Sequence, residues 1–308
     1  MTDVDLSTTV GSVALPNPVM TASGTAGHGA ELGAYVDLAA LGAVVVKSLS
    51  PDPWAGNPAP RLRPTPAGML NSVGLQGPGV RHWLADELPE LVGTGARVVA
   101  SIWGRTVEEY EVAAELLAAA PPEVVAVEVN VSCPNLKDGR RMFAQSPAAT
   151  REVLAAAAAC GRPRWAKLTP ATADLVAVAT AAVEGGADAL TLVNTVPGMV
   201  IDLERRRPAL GGGSGGLSGP AIHPVAVRAV YECRAALPDV AIVGAGGVVD
   251  GETAIELVMA GADAVQVGTA TFADPRACLR VRDGIERWCR DHGVPRVADL
   301  QGAAHDRS

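Results

Sequence analysis

One pattern constrains the fold more than any other: short β-branched runs alternate with longer alanine- and leucine-rich runs, eight times over. The strand-like runs cover residues 19–23, 43–48, 97–102, 124–131, 164–169, 189–194, 240–245 and 264–268. The helix-like runs cover residues 30–40, 78–91, 106–119, 147–160, 172–185, 221–236, 250–260 and 274–290. Because the strands are almost continuously apolar, we expect them to be parallel and buried on both faces. Eight such units in about 250 residues predict an α/β fold of the (β/α)8 TIM-barrel type. A doubly wound sheet is the second possibility.

Three stretches lie outside this minimal barrel. Residues 1–18 have the pattern of an N-terminal hairpin, and two long Pro- and Gly-rich loops, 49–76 and 196–220, follow strands 2 and 6. Loops of this length within a compact domain usually carry function. Since both follow strands, we expect them at the carboxyl-terminal face, where barrels place their active sites. No linker or shift in composition divides the chain, so residues 1–308 are predicted to form a single domain.

The composition narrows the class of protein further. The chain has 308 residues, 48% of them hydrophobic, which is enough to bury a large core. Its formal charge of -8 argues against a general binder of nucleic acid or anionic membranes, because such binders need a cationic surface. No apolar run reaches the ~20 residues that a membrane span needs. Residues 1–10 are polar and have no signal-peptide core, so we expect a cytoplasmic protein.

Polar residues gather at the predicted strand ends. Only three of the 25 basic residues are lysines, and all three (Lys47, Lys137 and Lys167) lie at predicted strand ends or in the loops that follow them. The other polar residues in such positions are Ser23, Ser101, Asn130, Cys133, Asn194 and Thr195, while Asn71 lies in the first long loop. The carboxyl ends of the strands meet on one face of a barrel, so these residues should surround one cleft. Amides both donate and accept hydrogen bonds, which suits a planar ligand with several carbonyl and N–H groups.

Two glycine-rich turns, 244–247 and 268–270, follow strands 7 and 8. Barrels commonly bind phosphate at these two positions through backbone N–H groups. The pair therefore favours a bound phosphate. It could belong to a cofactor such as flavin mononucleotide (FMN) or to a phosphorylated substrate.

The five cysteines (Cys133, Cys160, Cys233, Cys278 and Cys289) are odd in number and include no Cys-x-x-Cys pair. This pattern predicts neither a disulfide framework nor a zinc or iron–sulfur site. Cys133 lies in a proline-bounded loop after strand 4, where it is a candidate acid, base or nucleophile, the alternative being a buried, inert thiol. The other four are expected to be inert. The five histidines are interpreted as surface residues of loops and helices, so no metal site is predicted.

Taken together, these motifs resemble those of the soluble, flavin-dependent dihydroorotate dehydrogenases over residues 6–300. The similar stretches are 17–18, 22–24, 46–48, 56–61, 68–76, 130–135, 193–195, 215–222, 246–248 and 267–269. Cysteine rather than serine in the loop after strand 4 is typical of the soluble class, as opposed to the membrane-bound, quinone-linked class. The stretches 136–139 and 22–24 resemble the NAD-linked subgroup, class 1B.

The resemblance implies oxidation of dihydroorotate to orotate in pyrimidine biosynthesis, with the hydride passing to N5 of FMN. In the NAD-linked subgroup the barrel chain pairs with a second subunit that carries FAD and a [2Fe-2S] cluster. The resemblance thus implies a homodimeric core within a heterotetramer. This chain has no cysteine pattern for such a cluster, so the NAD-linked interpretation requires the partner subunit.

The resemblance also assigns roles to individual residues. Cys133 would be the catalytic base, with Lys167 and Lys47 as further catalytic groups. Contacts to FMN would come from Ser23, Lys47, Ser48, Ser101, Asn130, Lys167, Val193, Gly219, Gly246, Gly247, Gly268 and Thr269. Contacts to the substrate would come from Lys47, Asn71, Ser72, Val73, Gly74, Leu75, Asn130, Asn135, Asn194 and Thr195. Ser101 departs from the family, which usually has asparagine there.

Four alternatives remain open at this stage. Within the family, a self-sufficient, fumarate-dependent homodimer (class 1A) is the main one. Transfer-RNA dihydrouridine synthases are also flavin barrels with a similar cysteine loop, but they need a basic RNA-binding surface. A Schiff-base aldolase would use Lys167 as its nucleophile. A non-catalytic scaffold would not need the polar residues at the strand ends.

Overall fold

The computed structural model describes residues 4–132 and 142–305. Its strands in chain order are β1 (Thr8–Val10), β2 (Val13–Leu15), β3 (Val19–Thr21), β4 (Val44–Val45), β5 (Leu62–Thr65), β6 (Gly68–Asn71), β7 (Val98–Ile102), β8 (Val124–Asn130), β9 (Arg164–Leu168), β10 (Ala189–Leu192), β11 (Val196–Gly198), β12 (Ile201–Asp202), β13 (Arg207–Pro208), β14 (Gly215–Ser218), β15 (Ala241–Ala245) and β16 (Ala264–Val267). Its α-helices are α1 (Val80–His82), α2 (Leu88–Gly93), α3 (Val107–Leu117), α4 (Pro147–Ala156), α5 (Leu175–Glu184), α6 (His223–Ala236), α7 (Gly251–Met259), α8 (Ala270–Ala273) and α9 (Ala277–Asp291).

Eight of these strands form one parallel sheet in the order β3-β16-β15-β10-β9-β8-β7-β4. The two edges of this sheet meet, because Met20 bridges to Ala43 and the N–H of Gly42 donates to the carbonyl of Val19 at 2.8 Å. β4 is short, yet its pairing with β7 continues where the N–H of Val46 donates to Val99 at 3.1 Å. The predicted (β/α)8 TIM barrel is therefore confirmed.

The amino-terminal end of the barrel is filled by apolar side chains and closed by the predicted hairpin. β1 and β2 pair in antiparallel register, and Val10 and Leu15 of this hairpin are buried against the barrel interior. The interior residues at this level include Met20, Val99 and Trp165. Burial of each such side chain contributes about 1.5–3 kcal/mol. A packed lower half leaves the opposite, carboxyl-terminal end as the place for a ligand.

The helical regions depart from the prediction most clearly after the first two strands. The predicted helix 30–40 is instead two short 3-10 helices, Glu31–Ala34 and Leu38–Ala40. The side chain of Asp37 accepts a hydrogen bond from the N–H of Ala39 and so begins a new turn where a continuous helix would have run on. The region predicted as helix 78–91 begins at Val80, with a π-helical turn, Trp83–Glu87, between α1 and α2.

The two long loops pair with each other, which the sequence pattern did not indicate. β6 of the first loop and β14 of the second are antiparallel neighbours, with Asn71 opposite Gly216. Together with β5 and β11 they form a four-stranded sheet in the order β11-β14-β6-β5. This second sheet places Asn71 beside the carboxyl ends of the barrel strands.

The cysteine and histidine expectations are tested in part. Cys160, Cys233, Cys278 and Cys289 are buried free thiols, and burial raises the pKa of Cys233 and of Cys278 to about 12. His223 was predicted to be a surface residue, but it is buried, with 8% of its surface exposed.

Within residues 4–132 and 142–305, no helix has the length and apolar character to cross a membrane. The same residues contain no group of three or more His, Cys, Asp or Glu side chains that could hold a metal ion.

Candidate active site

A cavity of about 500 Å³ lies at the carboxyl ends of the barrel strands, beside the second sheet. Most of the predicted cofactor residues line it: Ser23, Lys47, Ser48, Asn130, Lys167, Val193, Gly219, Gly246, Gly247, Gly268 and Thr269. Most of the predicted substrate residues line it as well: Asn71, Val73, Gly74, Leu75, Asn194 and Thr195. The strand ends and the second sheet thus bring together residues that are up to 246 positions apart, from Ser23 to Thr269.

Four predicted site residues do not line the described cavity. Ser101 is fully buried behind it, with its Oγ 2.9 Å from the Oγ of Ser48. The hydroxyl of Ser72 accepts a 3.0 Å hydrogen bond from Nδ2 of Asn57. Cys133 and Asn135 lie outside the described residues. The roles assigned to these four residues, like those assigned to the residues that line the cavity, stay predictions.

The floor of the cavity holds a buried charged cluster that we call the Lys167 cluster, formed by Lys167, Glu128 and Gln266. Nζ of Lys167 is 3.2 Å from Oε1 of Glu128 and donates to Oε1 of Gln266 at 2.8 Å. Nε2 of Gln266 donates to Oε2 of Glu128 at 2.6 Å. Every member is at least 95% buried. A buried ion pair of this kind needs such additional hydrogen bonds to be stable.

Sequence reasoning missed Glu128 and Gln266, although a signal was present. Successive side chains of a strand point to opposite faces, so residues two apart share a face. Glu128 lies two positions before Asn130 on β8, and Gln266, on β16, lies two positions before the cavity-lining Gly268 that follows this strand. A charged or amide residue within an otherwise apolar buried strand points into the barrel when its i+2 neighbour does.

A chain of hydroxyl groups connects the Lys167 cluster with the wall of the cavity. The Oγ of Ser101 is 3.5 Å from Glu128, and the Oγ of Ser48 is 3.1 Å from the Oγ of Ser23. Nδ2 of Asn130 also donates to Ser48, at 3.3 Å. These contacts fix the side chains on four neighbouring strand ends, those of β3, β4, β7 and β8, before any ligand is bound.

Lys47 approaches the cavity beside two unusual neighbours. Gly24 adopts a φ of +87°, and a Cβ at this position would come 3.4 Å from Cδ of Lys47. His28 is close enough to feel the charge of Lys47. Burial and the nearby charge of Lys47 lower the pKa of His28 to about 4, so this ring is neutral near pH 7. The indole N–H of Trp83 holds the backbone here by donating to the carbonyl of His28 at 2.7 Å.

The glycine-rich wall after β15 has a conformation and packing that require glycine. Gly246 and Gly247 have φ angles of +131° and +71°. A Cβ at Gly247 would come 2.5 Å from Cβ of His223, which leaves no room for a side chain. His223 donates from Nδ1 to the carbonyl of Gly246 at 2.9 Å, and its Nε2 is 2.9 Å from Oε2 of Glu256. The buried histidine therefore has a structural part in holding this turn.

The fold and the site define a barrel enzyme with a polar cavity, rich in amides and lysines, at the carboxyl ends of its strands. The sequence model of the dihydroorotate dehydrogenase family matches residues 5–288. The chain therefore belongs to the dihydroorotate dehydrogenase family.

Individual relatives agree with this assignment along almost their whole length. A protein from Geobacter sp. (strain M21) is 46% identical over 301 residues, which cover 97% of this chain and 98% of the relative. A protein from Alkaliphilus metalliredigens (strain QYMF) is 46% identical over 305 residues, covering 98% of this chain and 100% of the relative. Both relatives are named dihydroorotate dehydrogenase B (NAD(+)), catalytic subunit.

Proposed function

We propose that this chain oxidises (S)-dihydroorotate to orotate in pyrimidine biosynthesis, as the catalytic subunit of an NAD-linked dihydroorotate dehydrogenase. One observation carries the proposal: a single cavity brings together Lys47, Lys167 and the amides of Asn71, Asn130 and Asn194. Two cationic groups and three amides suit a planar ring that bears carbonyl groups, N–H groups and a carboxylate. The names of the relatives support the choice of substrate and acceptor.

The cavity residues fit FMN as the cofactor. The cavity volume of about 500 Å³ lies in the range of small-molecule and cofactor sites. The glycine turns at 246–247 and 268–269 line one wall, where backbone can approach a phosphate closely. Ser132 also lines the cavity, and its buried Oγ has no hydrogen-bond partner among the described residues. A ligand with several acceptor atoms would satisfy this hydroxyl.

Each side chain has a distinct task in the proposed reaction. When bound, FMN supplies the acceptor for the hydride that leaves C6 of the substrate. Lys167 offers a cationic N–H donor at the cavity floor, where it would stabilise the negative charge of the reduced flavin. Lys47 meets the substrate carboxylate, while Asn71, Asn130 and Asn194 orient the ring. Cys133, which lies outside the described residues, is proposed as the base that takes the proton from C5.

The chain is proposed to work with a partner rather than alone. The words "catalytic subunit" in the names of the relatives point to a second subunit. We propose that this partner carries FAD and a [2Fe-2S] cluster, that two copies of the present chain form the core of a heterotetramer, and that the assembly is cytoplasmic.

Anaerobic addition of dihydroorotate to the purified, FMN-loaded chain tests the substrate. Loss of the flavin absorbance band is expected. The acceptor is then tested by offering fumarate, or NAD together with the partner subunit, to the reduced protein. Reoxidation by NAD only when the partner is present supports the NAD-linked proposal, whereas rapid reoxidation by fumarate would assign the chain to the fumarate-dependent class.

A further inference from the structure

Glu128 is a fully buried carboxylate that the proposed chemistry does not yet use. It lies in the middle of β8 between Val127 and Val129, and it is 0% exposed. It does not line the described cavity, whereas Lys167 and Gln266 do. Glu128 contacts these two side chains at 3.2 Å and 2.6 Å, and its longer contact to Ser101, at 3.5 Å, leads to the chain of hydroxyl groups.

The Lys167 cluster orients the lysine ammonium toward the cavity. An ammonium has three N–H donors. Among the described residues, Glu128 and Gln266 accept from two of those of Lys167, which leaves the third for a ligand on the cavity side. The amide of Gln266 bonds to both charged groups, with its oxygen toward Lys167 and its nitrogen toward Glu128. This double contact keeps the lysine from rotating away.

The charge at the cavity floor depends on Glu128. Lys167 is 5% exposed, and an ammonium buried to that degree is costly unless a counter-ion is in contact with it. Removal of one partner of a buried pair is strongly destabilising, because it leaves an uncompensated buried charge. Without the carboxylate, the lysine is expected either to lose its proton or to turn toward solvent through the cavity. In both cases the cavity floor loses its positive charge.

We propose that Glu128 is a positioning residue that keeps Lys167 charged and in contact with bound flavin, so that the protein favours the reduced, anionic form of the cofactor. This inference rests on the proposed function, because it takes the ligand beside Lys167 to be FMN. Glu128 acts through Lys167, so its effect should vanish when Lys167 has no charge.

The midpoint potential of bound FMN tests this, since it reports the ratio of affinities for reduced and oxidised cofactor. We expect Glu128→Gln to lower that ratio about tenfold, which is about 30 mV for a two-electron couple. Lys167→Gln should lower it at least as much. The double variant should equal Lys167→Gln alone, because a residue that acts through Lys167 has nothing left to act on.

Two further variants separate charge placement from general damage. In Glu128→Gln with Gln266→Glu, the carboxylate and the amide exchange places, and position 266 lies within 2.8 Å of Nζ. This exchange should restore most of the wild-type potential. Thr191→Val is the matched control. Thr191 is buried at the β10 position that pairs with Lys167, and its hydroxyl has no partner among the described residues. It should leave the potential unchanged.

An unchanged or higher potential in Glu128→Gln, or additive effects in the double variant, would contradict the proposal. If Glu128→Gln does not fold, the exchanged pair decides: a folded protein with the wild-type potential supports the proposal, and one with the Lys167→Gln potential overturns it. A folded wild-type chain that binds no FMN would instead refute the proposed function. This result cannot be confused with failure of the Glu128 proposal, because FMN binding by the wild-type chain is measured before any variant is compared.

Discussion

Asn194 donates a 3.1 Å hydrogen bond from its Nδ2 to Oδ1 of Asn130, joining the loop after β10 to the end of β8. Oδ1 of Asn194 accepts from the N–H of Thr195 at 2.8 Å, and Nδ2 of Asn130 donates to Ser48. The two amides therefore hold each other in place before a ligand enters. Such prior ordering lowers the entropy cost of binding.

Replacement of Asn194 should weaken substrate binding more than flavin binding. Asn194→Ala removes the contact to Asn130 and the proposed contact to dihydroorotate. The loss of one or two buried hydrogen bonds costs about 1–3 kcal/mol, so kcat/KM should fall about 10- to 100-fold. Steady-state kinetics and FMN titration measure the two effects separately. Loss of FMN with an unchanged KM would show that the assignment to substrate is wrong.

Cys133 is predicted to be the base, and Cys133→Ser should slow flavin reduction by dihydroorotate by orders of magnitude near pH 7. A hydroxyl ionises far less readily than a thiol, so it is a poorer base at that pH. Stopped-flow absorbance gives the rate directly. Reduction at the wild-type rate would remove Cys133 from the mechanism.

A thiol-labelling experiment provides the matching control for Cys133. The thiols at 160, 233, 278 and 289 are buried, and burial raises the pKa of each. Iodoacetamide should therefore label one site rapidly in the native chain, and Cys133→Ser should abolish that label. Rapid labelling of the folded Cys133→Ser chain would indicate that another cysteine is the reactive one.

Gly247→Ala should damage the predicted phosphate wall. The backbone φ of +71° is unfavourable for alanine, and the added Cβ would meet His223 at 2.5 Å. We expect at least a tenfold loss of FMN affinity and about 1–3 kcal/mol of lost stability. Gly93→Ala is the control, since a Cβ at Gly93 would meet nothing within 4 Å. Wild-type FMN affinity in Gly247→Ala would place the phosphate elsewhere.

His28 should make the folded chain less stable in mild acid. The pKa of His28 is about 4 in the folded chain against about 6.5 when unfolded, because burial and the charge of Lys47 disfavour its protonation. Between these values the unfolded chain binds more protons, so the free energy of unfolding falls as the pH drops from 6.5 to 4. Allowing for its partial exposure, we expect a contribution of about 1–2 kcal/mol.

Denaturant unfolding of the chain at pH 4.5 and pH 7 measures this dependence. His28→Gln should reduce the difference between the two values. An unchanged difference in His28→Gln would contradict the assignment to His28.

The sequence predicted the barrel well because buried parallel strands have a strong local signature. Runs such as Val44-Val45-Val46 are typical of parallel strands that are buried on both faces. The glycines near 185 and 261 indicate where a helix ends and the next strand begins. The helix predicted over 30–40 was wrong because a single side chain, that of Asp37, begins a new turn.

The missed parts of the site depend on contacts between distant segments. The pairing of β6 with β14 joins residues about 145 positions apart, and no local pattern specifies it. Glu128 and Gln266 are 138 positions apart, and each by itself is only one polar residue in an apolar strand. The face of the sheet on which a strand side chain lies could have been inferred from its i+2 neighbour. The residue that it contacts across the barrel could not have been inferred from the sequence.

Anaerobic reduction by dihydroorotate tests the central claim most directly. The purified chain is loaded with FMN, freed of oxygen and mixed with dihydroorotate while the flavin absorbance band is followed. The account predicts that the band bleaches and that one orotate forms for each flavin reduced. A chain that binds FMN but keeps its full absorbance with excess dihydroorotate would contradict the proposed substrate.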